Sequence, residues 1–388
     1  MKLIYADTFS IGAFHETFNA SSLLMFAEIY PQITYRAPRS SKRNIERLIG
    51  CFPPNVTYKP IFCLAGLGHW GNFLRYLSSA IWNMILVLSQ RHDEILYFNY
   101  NSLWATRIVN TIVKIRKTKV IITCHGELEY LQNNIKLNAP AQAGLKLFTN
   151  PKWNIAEGLY FCVLGKSILK NIPQVVDKKH LTKFISYEHS FIPHQLEGRV
   201  KKDEKFRIGT VGTIREYKGL NQLLAIGNAL KENSDILFYA LGRVTCDPNL
   251  LLQSNVQFIP GSEKDYVSKE VLNQYIDSMD YLIFTYPTDK YKFTASGALF
   301  DAIDREKVIL SLHNDYFDEI FRMVNIGKQF SSVDSLVEFL CCNNWDEIGN
   351  IDFRCNKQKL SYVSAAIDFG KELKKRFLVY KKNEAEIS

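Results

Sequence analysis

Several absences narrow the reading before any motif is weighed. No apolar run reaches the ~20 residues that a membrane-spanning helix needs; the longest, around Ala80 to Ser89, falls well short. The first residues, Met1 to Ala6, enter a strand-like run without the apolar core of a secretory leader, so a cytoplasmic protein is expected. None of the eight cysteines forms a C-x-x-C pair, which argues against a zinc site and a thioredoxin-like centre. Cys63 and Cys162 sit inside apolar runs, where a thiol behaves as a small hydrophobe, so a reducing compartment without a disulfide framework is expected. The locally basic stretches, Lys114 to Lys119 and Lys371 to Lys382, lack the arginine–aromatic character of a nucleic-acid motif, and no nucleic-acid partner is expected.

What is present describes a folded protein of two domains. The chain has 388 residues, 47% hydrophobic and 22% charged, more than one ordinary core accommodates. Its formal net charge of +9 favours anionic partners such as nucleotides, phosphorylated lipids or an acidic membrane surface. Short apolar runs rich in Ile, Val, Tyr and Phe predict strands over 3–6, 33–37, 56–63, 94–99, 120–124 and 159–164, with helices over 14–30, 72–90, 103–115 and 166–172 between them. The alternation restarts after a charged stretch. Strands are predicted over 206–211, 236–241, 256–259, 281–285 and 308–312, and helices over 219–232, 269–278, 297–304 and 332–340. Repeated strand–helix units mean parallel sheets with helices on both faces. The expected architecture is therefore α/β: an N-terminal Rossmann-like domain over 1–195, a linker over 196–205, a second Rossmann-like domain over 206–358, and a closing helix and tail over 359–388. Such doubly wound domains would present their strand ends to one cleft. The apolar spacing of Tyr362, Ala366, Phe369, Leu373 and Phe377 gives the closing helix, expected over 360–382, one face to pack.

The strongest local signal is Arg207-Ile-Gly-Thr-Val-Gly-Thr-Ile-Arg-Glu-Tyr-Lys-Gly219: a buried strand, a glycine-containing loop, then an amphipathic helix. Glycine lets backbone approach a ligand closely, and a helix start with a lysine suits phosphate oxygens. Lys218 and Arg215 are the cations that would neutralise a diphosphate; the same loop also reads as a tight strand–helix connection. Further on, Ser296 and Gly297 open a short helix with Asp301 one turn later on the same face. Ser296 reads either as an N-cap or as part of a phosphate seat.

These residues carry a resemblance. Gly212-Thr-Ile-Arg-Glu-Tyr-Lys-Gly219 resembles the G-R-L-x-x-x-K-G element of the GT-B glycosyltransferases of family 4. Met279 to Pro287 and the run Tyr291-Lys-Phe-Thr-Ala-Ser-Gly-Ala-Leu-Phe-Asp301 resemble that family's "a-D-v-x-v-x-P-S" strand and its E-x7-E element. Gly242 and Phe258-Ile-Pro-Gly261 match its strand-end glycine turns. The resemblance implies a GT-B fold, a UDP- or GDP-linked sugar donor, diphosphate contacts from Lys218, and ribose contacts from Asp301. The implied donor-binding set is Gly12, Gly212, Thr213, Arg215, Lys218, Ser296, Gly297 and Asp301. Two positions depart from the pattern: Thr213 stands where the family arginine is, and Phe293 stands where the first glutamate is.

In the first half, Cys124-His125-Gly126-Glu127 follows a predicted strand, and the resemblance puts His125 near the reacting sugar, with Glu127 and then Glu129 as further candidates to take an acceptor proton. A strand-end histidine also serves as a hydrogen-bonded structural residue. His15 heads the first helix, as a cap or an acceptor contact, and Glu188 and His189 suit hinge or packing roles. No D-x-D tripeptide, the usual metal-holding element of the other major glycosyltransferase fold, stands at a plausible strand end, so a metal-independent enzyme without a cofactor is expected. The function implied is transfer of a sugar from a nucleotide sugar to a glycan or lipid-linked acceptor, in surface polysaccharide synthesis. The alternatives are an inactive nucleotide-sugar-binding partner subunit and a GT-B-fold epimerase. Phe73, Leu74, Tyr76, Leu77, Ile81, Trp82 and Ile85 form a wide apolar face, read first as core and second as peripheral contact with the inner face of the cytoplasmic membrane.

Overall fold

The computed structural model describes residues 2–11, 14–64, 68–194, 205–265, 267–289, 291–342, 345–348 and 350–378. The chain divides into two compact units. Unit one runs from the N-terminus to Ile192 and also takes Phe293–Ala295 and the segment from Leu360 onward; unit two holds Pro193–Lys292 and Ser296–Lys359. The expected linker over 196–205 lies outside the described residues except for Lys205.

Unit one is built on seven strands: β1 (Lys2–Ala6), β2 (Ile33–Ala37), β3 (Val56–Pro60), β4 (Glu94–Phe98), β5 (Lys119–Cys124), β6 (Leu159–Val163) and β7 (Phe184–Ser186). Their order is β3-β2-β1-β4-β5-β6-β7, and every pairing is parallel. Helices on both faces explain the near-continuous apolar strands, with Leu96, Tyr97 and Phe98 all buried. Register places Tyr5 beside Tyr35 on one side and Tyr97 on the other. The three rings pack at 5.6 and 5.1 Å, and each hydroxyl finds a partner, on Ser22, Ser41 and Tyr187. Strand β3 ends at Pro60, short of the expected Cys63, where its partner β2 ends at Ala37; the Ile61 N–H makes the last bond to the Ala37 oxygen, and proline is tolerated on this edge strand.

The closing helix expected over 360–382 is Tyr362–Leu378 among the described residues, and a shorter helix that was not expected, Phe353–Leu360, precedes it. Ser361 breaks them: its hydroxyl accepts the Ser364 N–H, and its backbone bridges to Phe191. The second helix buries Phe369, Leu373 and Phe377 in the core of unit one, with Phe369 against Phe26 and Tyr187.

Unit two has six parallel strands: β8 (Phe206–Val211), β9 (Ile236–Leu241), β10 (Val256–Phe258), β11 (Tyr281–Phe284), β12 (Val308–Leu312) and β13 (Gly327–Phe330). Their order, β10-β9-β8-β11-β12-β13, is the doubly wound arrangement of a Rossmann domain, with its reversal between β8 and β11. Among the described residues no helix is long and apolar enough to cross a membrane.

Candidate functional site

Ligands of open α/β sheets sit beyond the carboxyl ends of the strands, at the point where strand order reverses. In unit two that point is held open by glycine. Gly212 follows β8 at φ +116°, Gly219 closes the loop at +88°, and Gly242 follows β9 at +137°. A Cβ on Gly242 would stand 2.3 Å from the Gly212 oxygen, and one on Gly219 2.1 Å from the Thr285 oxygen. Only glycine therefore lets the loops after β8, β9 and β11 lie against one another. A Cβ on Gly212 would come 3.6 Å from both Lys218 Nζ and the Ala298 Cβ, so the Lys218 ammonium and the first turn of the helix Gly297–Asp304 border the same glycine. The two motifs separated by some eighty residues of sequence thus meet. A small pocket opens here, lined by Thr213, Arg215, Lys218, Thr285 and Tyr286 among others.

The pocket is cationic. Lys218 makes no ion pair among the described residues; its ammonium lies over the rings of Tyr286 and Tyr291, at 5.5 and 6.0 Å from their centroids. Desolvation lowers its pKa, and Arg215 adds to the effect. The Arg215 guanidinium lies 5.1 Å from the centre of the Tyr217 ring, and its buried Nε has no hydrogen-bond partner. Two such cations, without a carboxylate partner among the described residues, have the chemistry to attract an anion. Tyr286 and Tyr291 lie inside the two resembled segments, Met279 to Pro287 and Tyr291 to Asp301, but at positions that the sequence does not single out.

At the second loop, Ser296 is the N-cap of Gly297–Asp304 but makes no side-chain cap bond; its buried hydroxyl pairs with Tyr286 OH at 3.2 Å. Space around Gly297 is open, with nothing within 4 Å of an added Cβ. Asp301 is not a lone surface carboxylate: Lys269, which the sequence did not single out, holds its Oδ1 at 2.6 Å. Phe293 is buried, and Phe293–Ala295 group with unit one, where the Phe293 N–H donates to Glu129 Oε1 at 2.7 Å.

Unit one has its own reversal point, between β1 and β4, and buried hydrogen bonds cross it. Asp7 accepts from the Ser10 N–H, Asn19 Nδ2 and Ser41 Oγ; Asn99 Nδ2 donates to Asn19 Oδ1; and His125 Nε2 lies 2.6 Å from the Asn99 oxygen. A carbonyl can only accept, so His125 carries its proton on Nε2 and keeps its lone pair on Nδ1. Burial lowers the His125 pKa, opposed by Asn99 and Glu127. His15, in a left-handed conformation at φ +55°, caps nothing with its side chain; its ring stacks on His125 at 4.4 Å. Burial lowers its pKa as well, helped by His125 and His189. His189 packs against Phe18, and burial pushes its pKa down to about 3. Glu127 turns inward: Oε2 accepts the N–H groups of His125 and Gly126. Glu188 Oε1 accepts the Lys166 N–H. Gly12 lies outside the described residues. Among those described, no group of three or more His, Cys, Asp or Glu side chains is arranged to hold a metal ion.

No family model and no curated protein matches this sequence. Solved structures do match in fold. Sucrose-phosphate synthase from Thermosynechococcus elongatus superposes with a TM-score of 0.63 at 12% identity, covering 97% of this chain and 99% of that one. Anabaena HepE, in complex with UDP and glucose, gives 0.60 at 11%, covering 97% and 100%. TarM from S. aureus, in a complex that includes UDP, gives 0.61 at 9%, covering 95% and 98%. With its two doubly wound parallel sheets, the chain has the GT-B fold that these glycosyltransferases share.

Proposed function

We propose that this chain transfers a sugar from a UDP- or GDP-linked donor to a glycan or lipid-linked acceptor, in the cytoplasm and in the service of surface polysaccharide synthesis. The observation that carries the reading is the pair of cations Lys218 and Arg215, without a carboxylate partner among the described residues, beside the glycine backbone at the reversal point of unit two. The nucleotides bound by HepE and TarM lend the reading support. In it, Lys218, Arg215 and Thr213 hold the diphosphate together with the backbone of Gly297, Gly212 leaves room for its close approach, and Ser296 lines that seat. When the glycosidic C–O bond breaks, its electron pair stays on the diphosphate oxygen, and the two cations stabilise that charge without a metal ion. Asp301, steadied by Lys269, accepts from the ribose hydroxyls. His125 presents the lone pair of Nδ1 to the sugar or to the acceptor hydroxyl, and Glu127 positions it by bracing the loop.

A second reading, a nucleotide-sugar-binding subunit without turnover, is favoured by the buried Phe293 at the first glutamate position of the resembled motif. Donor turnover separates them. Slow release of UDP or GDP from a sugar nucleotide, abolished in Lys218→Met, supports the transferase. Binding without release across a broad acceptor panel assigns the subunit, and a changed sugar on an intact nucleotide assigns an epimerase.

A further inference from the structure

The helix Gly68–Ser89 turns an apolar face to water. Trp70, Leu74, Ile81, Ile85 and Leu88 recur at spacings of three, four and seven, so they share one narrow arc, and all five are exposed, Trp70 at 78% and Leu88 at 53%. A surface helix ordinarily turns its polar side outward. This one has no acidic residue at all. The core role expected for Phe73, Leu74, Tyr76, Leu77, Ile81, Trp82 and Ile85 fails: Phe73, Leu74, Ile81 and Ile85 are exposed, the other three are half-buried, and the helix buries Ser79, Asn83 and Leu86 instead.

The next helix, Leu103–Arg116, widens the patch. Its Trp104 meets Phe73 and Tyr76 at 5.4 and 5.7 Å, which sets the two helices side by side. Ile108 and Ile115 follow Trp104 at helical spacing and are exposed, Ile115 at 76%. The rim is basic: Arg91, Arg107, Lys114 and Lys117 are exposed around it. From Ile61 to Gly126 seven Lys and Arg stand against two acids, Asp93 and Glu94, more than half of the net charge of +9.

Apolar surface and one-signed charge together select the occupant. A second copy of the chain would bring two basic rims together, which like-charge repulsion opposes. A bilayer with anionic lipid satisfies both halves: its interface takes Trp70 and the Ile and Leu side chains, and its headgroups take the basic rim. We propose that the helices Gly68–Ser89 and Leu103–Arg116 form a docking face for an anionic membrane surface. From Trp70 a series of ring contacts leads inward through Phe73, Trp104 and Tyr76 to Phe9, just beyond the carboxyl end of β1. Docking therefore brings the strand-end side of unit one to the lipid, which suits an acceptor carried on a lipid. The choice of acceptor rests on the transferase reading; the docking itself does not.

Flotation of the full chain tests it, with vesicles of phosphatidylcholine alone and of phosphatidylcholine with phosphatidylglycerol. Binding is expected only to the mixed vesicles and should weaken as salt rises. Ile81→Glu/Ile85→Glu, at exposed positions, should bind about tenfold more weakly, as should Lys114→Glu/Lys117→Glu. Both variants should keep the thermal unfolding profile of the parent and its shift with UDP or GDP. Absent flotation at low salt overturns the proposal, as does equal flotation of the Ile81→Glu/Ile85→Glu variant. So does a dimer in analytical ultracentrifugation that this variant dissolves, because the face would then belong to a second copy. Flotation without any nucleotide shift would leave the docking face standing and remove the donor site.

Discussion

Replacing Lys218 by Met should move the free and the liganded protein in opposite directions. In the free protein the ammonium is desolvated, close to Arg215, and without an ion pair among the described residues. Its folded pKa is lowered from the ordinary 10.5. Below the folded pKa both the folded and unfolded forms carry the charge, so the full desolvation penalty weighs on the fold. That penalty is relieved as pH rises through the folded pKa towards 10.5, where the unfolded chain holds the extra proton. Met keeps the length and the ring contacts and removes the penalty, so the free variant should be as stable as the parent or up to ~1 kcal/mol more stable. The liganded protein should lose instead. A phosphate oxygen about 4 Å from an ammonium gains ~4 kcal/mol at an effective dielectric of 20. Measured charge-assisted bonds retain about 1.5–3 kcal/mol of such gains, or roughly a 10- to 150-fold weaker Kd. Calorimetric titration with UDP and GDP, beside thermal unfolding of the free proteins, reads both terms. A variant that is less stable when free and binds nucleotide as the parent does would make Lys218 a structural residue and refute the argument.

The other predictions concern neighbouring parts of the account. Gly242→Ala forces a Cβ to 2.3 Å from the Gly212 oxygen at φ +137°, so it should cost ~1–3 kcal/mol of stability and weaken nucleotide binding, read by unfolding and titration. Asp301→Asn removes a pair with Lys269 that is 22–26% exposed and worth about 1 kcal/mol to the fold, and should weaken UDP or GDP about tenfold; nucleotides lacking ribose hydroxyls should bind parent and variant alike. His15, His125 and His189 all have lowered folded pKa values, so their neutral forms are built into unit one. The stability they allow is fully present above the unfolded value near 6.5 and is lost as pH falls below it, by ~1.4 kcal/mol per pH unit for each strongly shifted ring. Unfolding measured between pH 7 and 5 should show that slope, reduced in His189→Asn.

Much of the fold was legible because buried parallel strands are apolar on both faces. Strands β2, β8, β9 and β12 fall on the predicted residues. Strand β13 was not, since its run Gly-Lys-Gln-Phe buries only Phe330 at a sheet edge, and β7 is only three residues long. The helix Arg39–Ile49 escaped because it is largely polar, burying only Ser41 and Ile45, and Asp315–Met323 because its apolar residues span only nine positions. At the site, the glycine loop and Lys218 were legible through local chemistry. Lys269, Tyr286 and the hydrogen bonds from Asp7 through Asn19 and Asn99 to His125 were not, because tertiary folding alone joins residues so far apart in sequence.

Thermal unfolding of the full chain with UDP, GDP, ADP and their sugar conjugates tests nucleotide binding at the reversal point of unit two most directly. At about 100 times Kd the cognate nucleotide should stabilise the fold by about 2.7 kcal/mol. At the same concentration about half to nine-tenths of that gain should vanish in Lys218→Met. If no nucleotide raises the unfolding temperature, or if the variant responds as the parent does, the donor site is not where these cations and glycines stand.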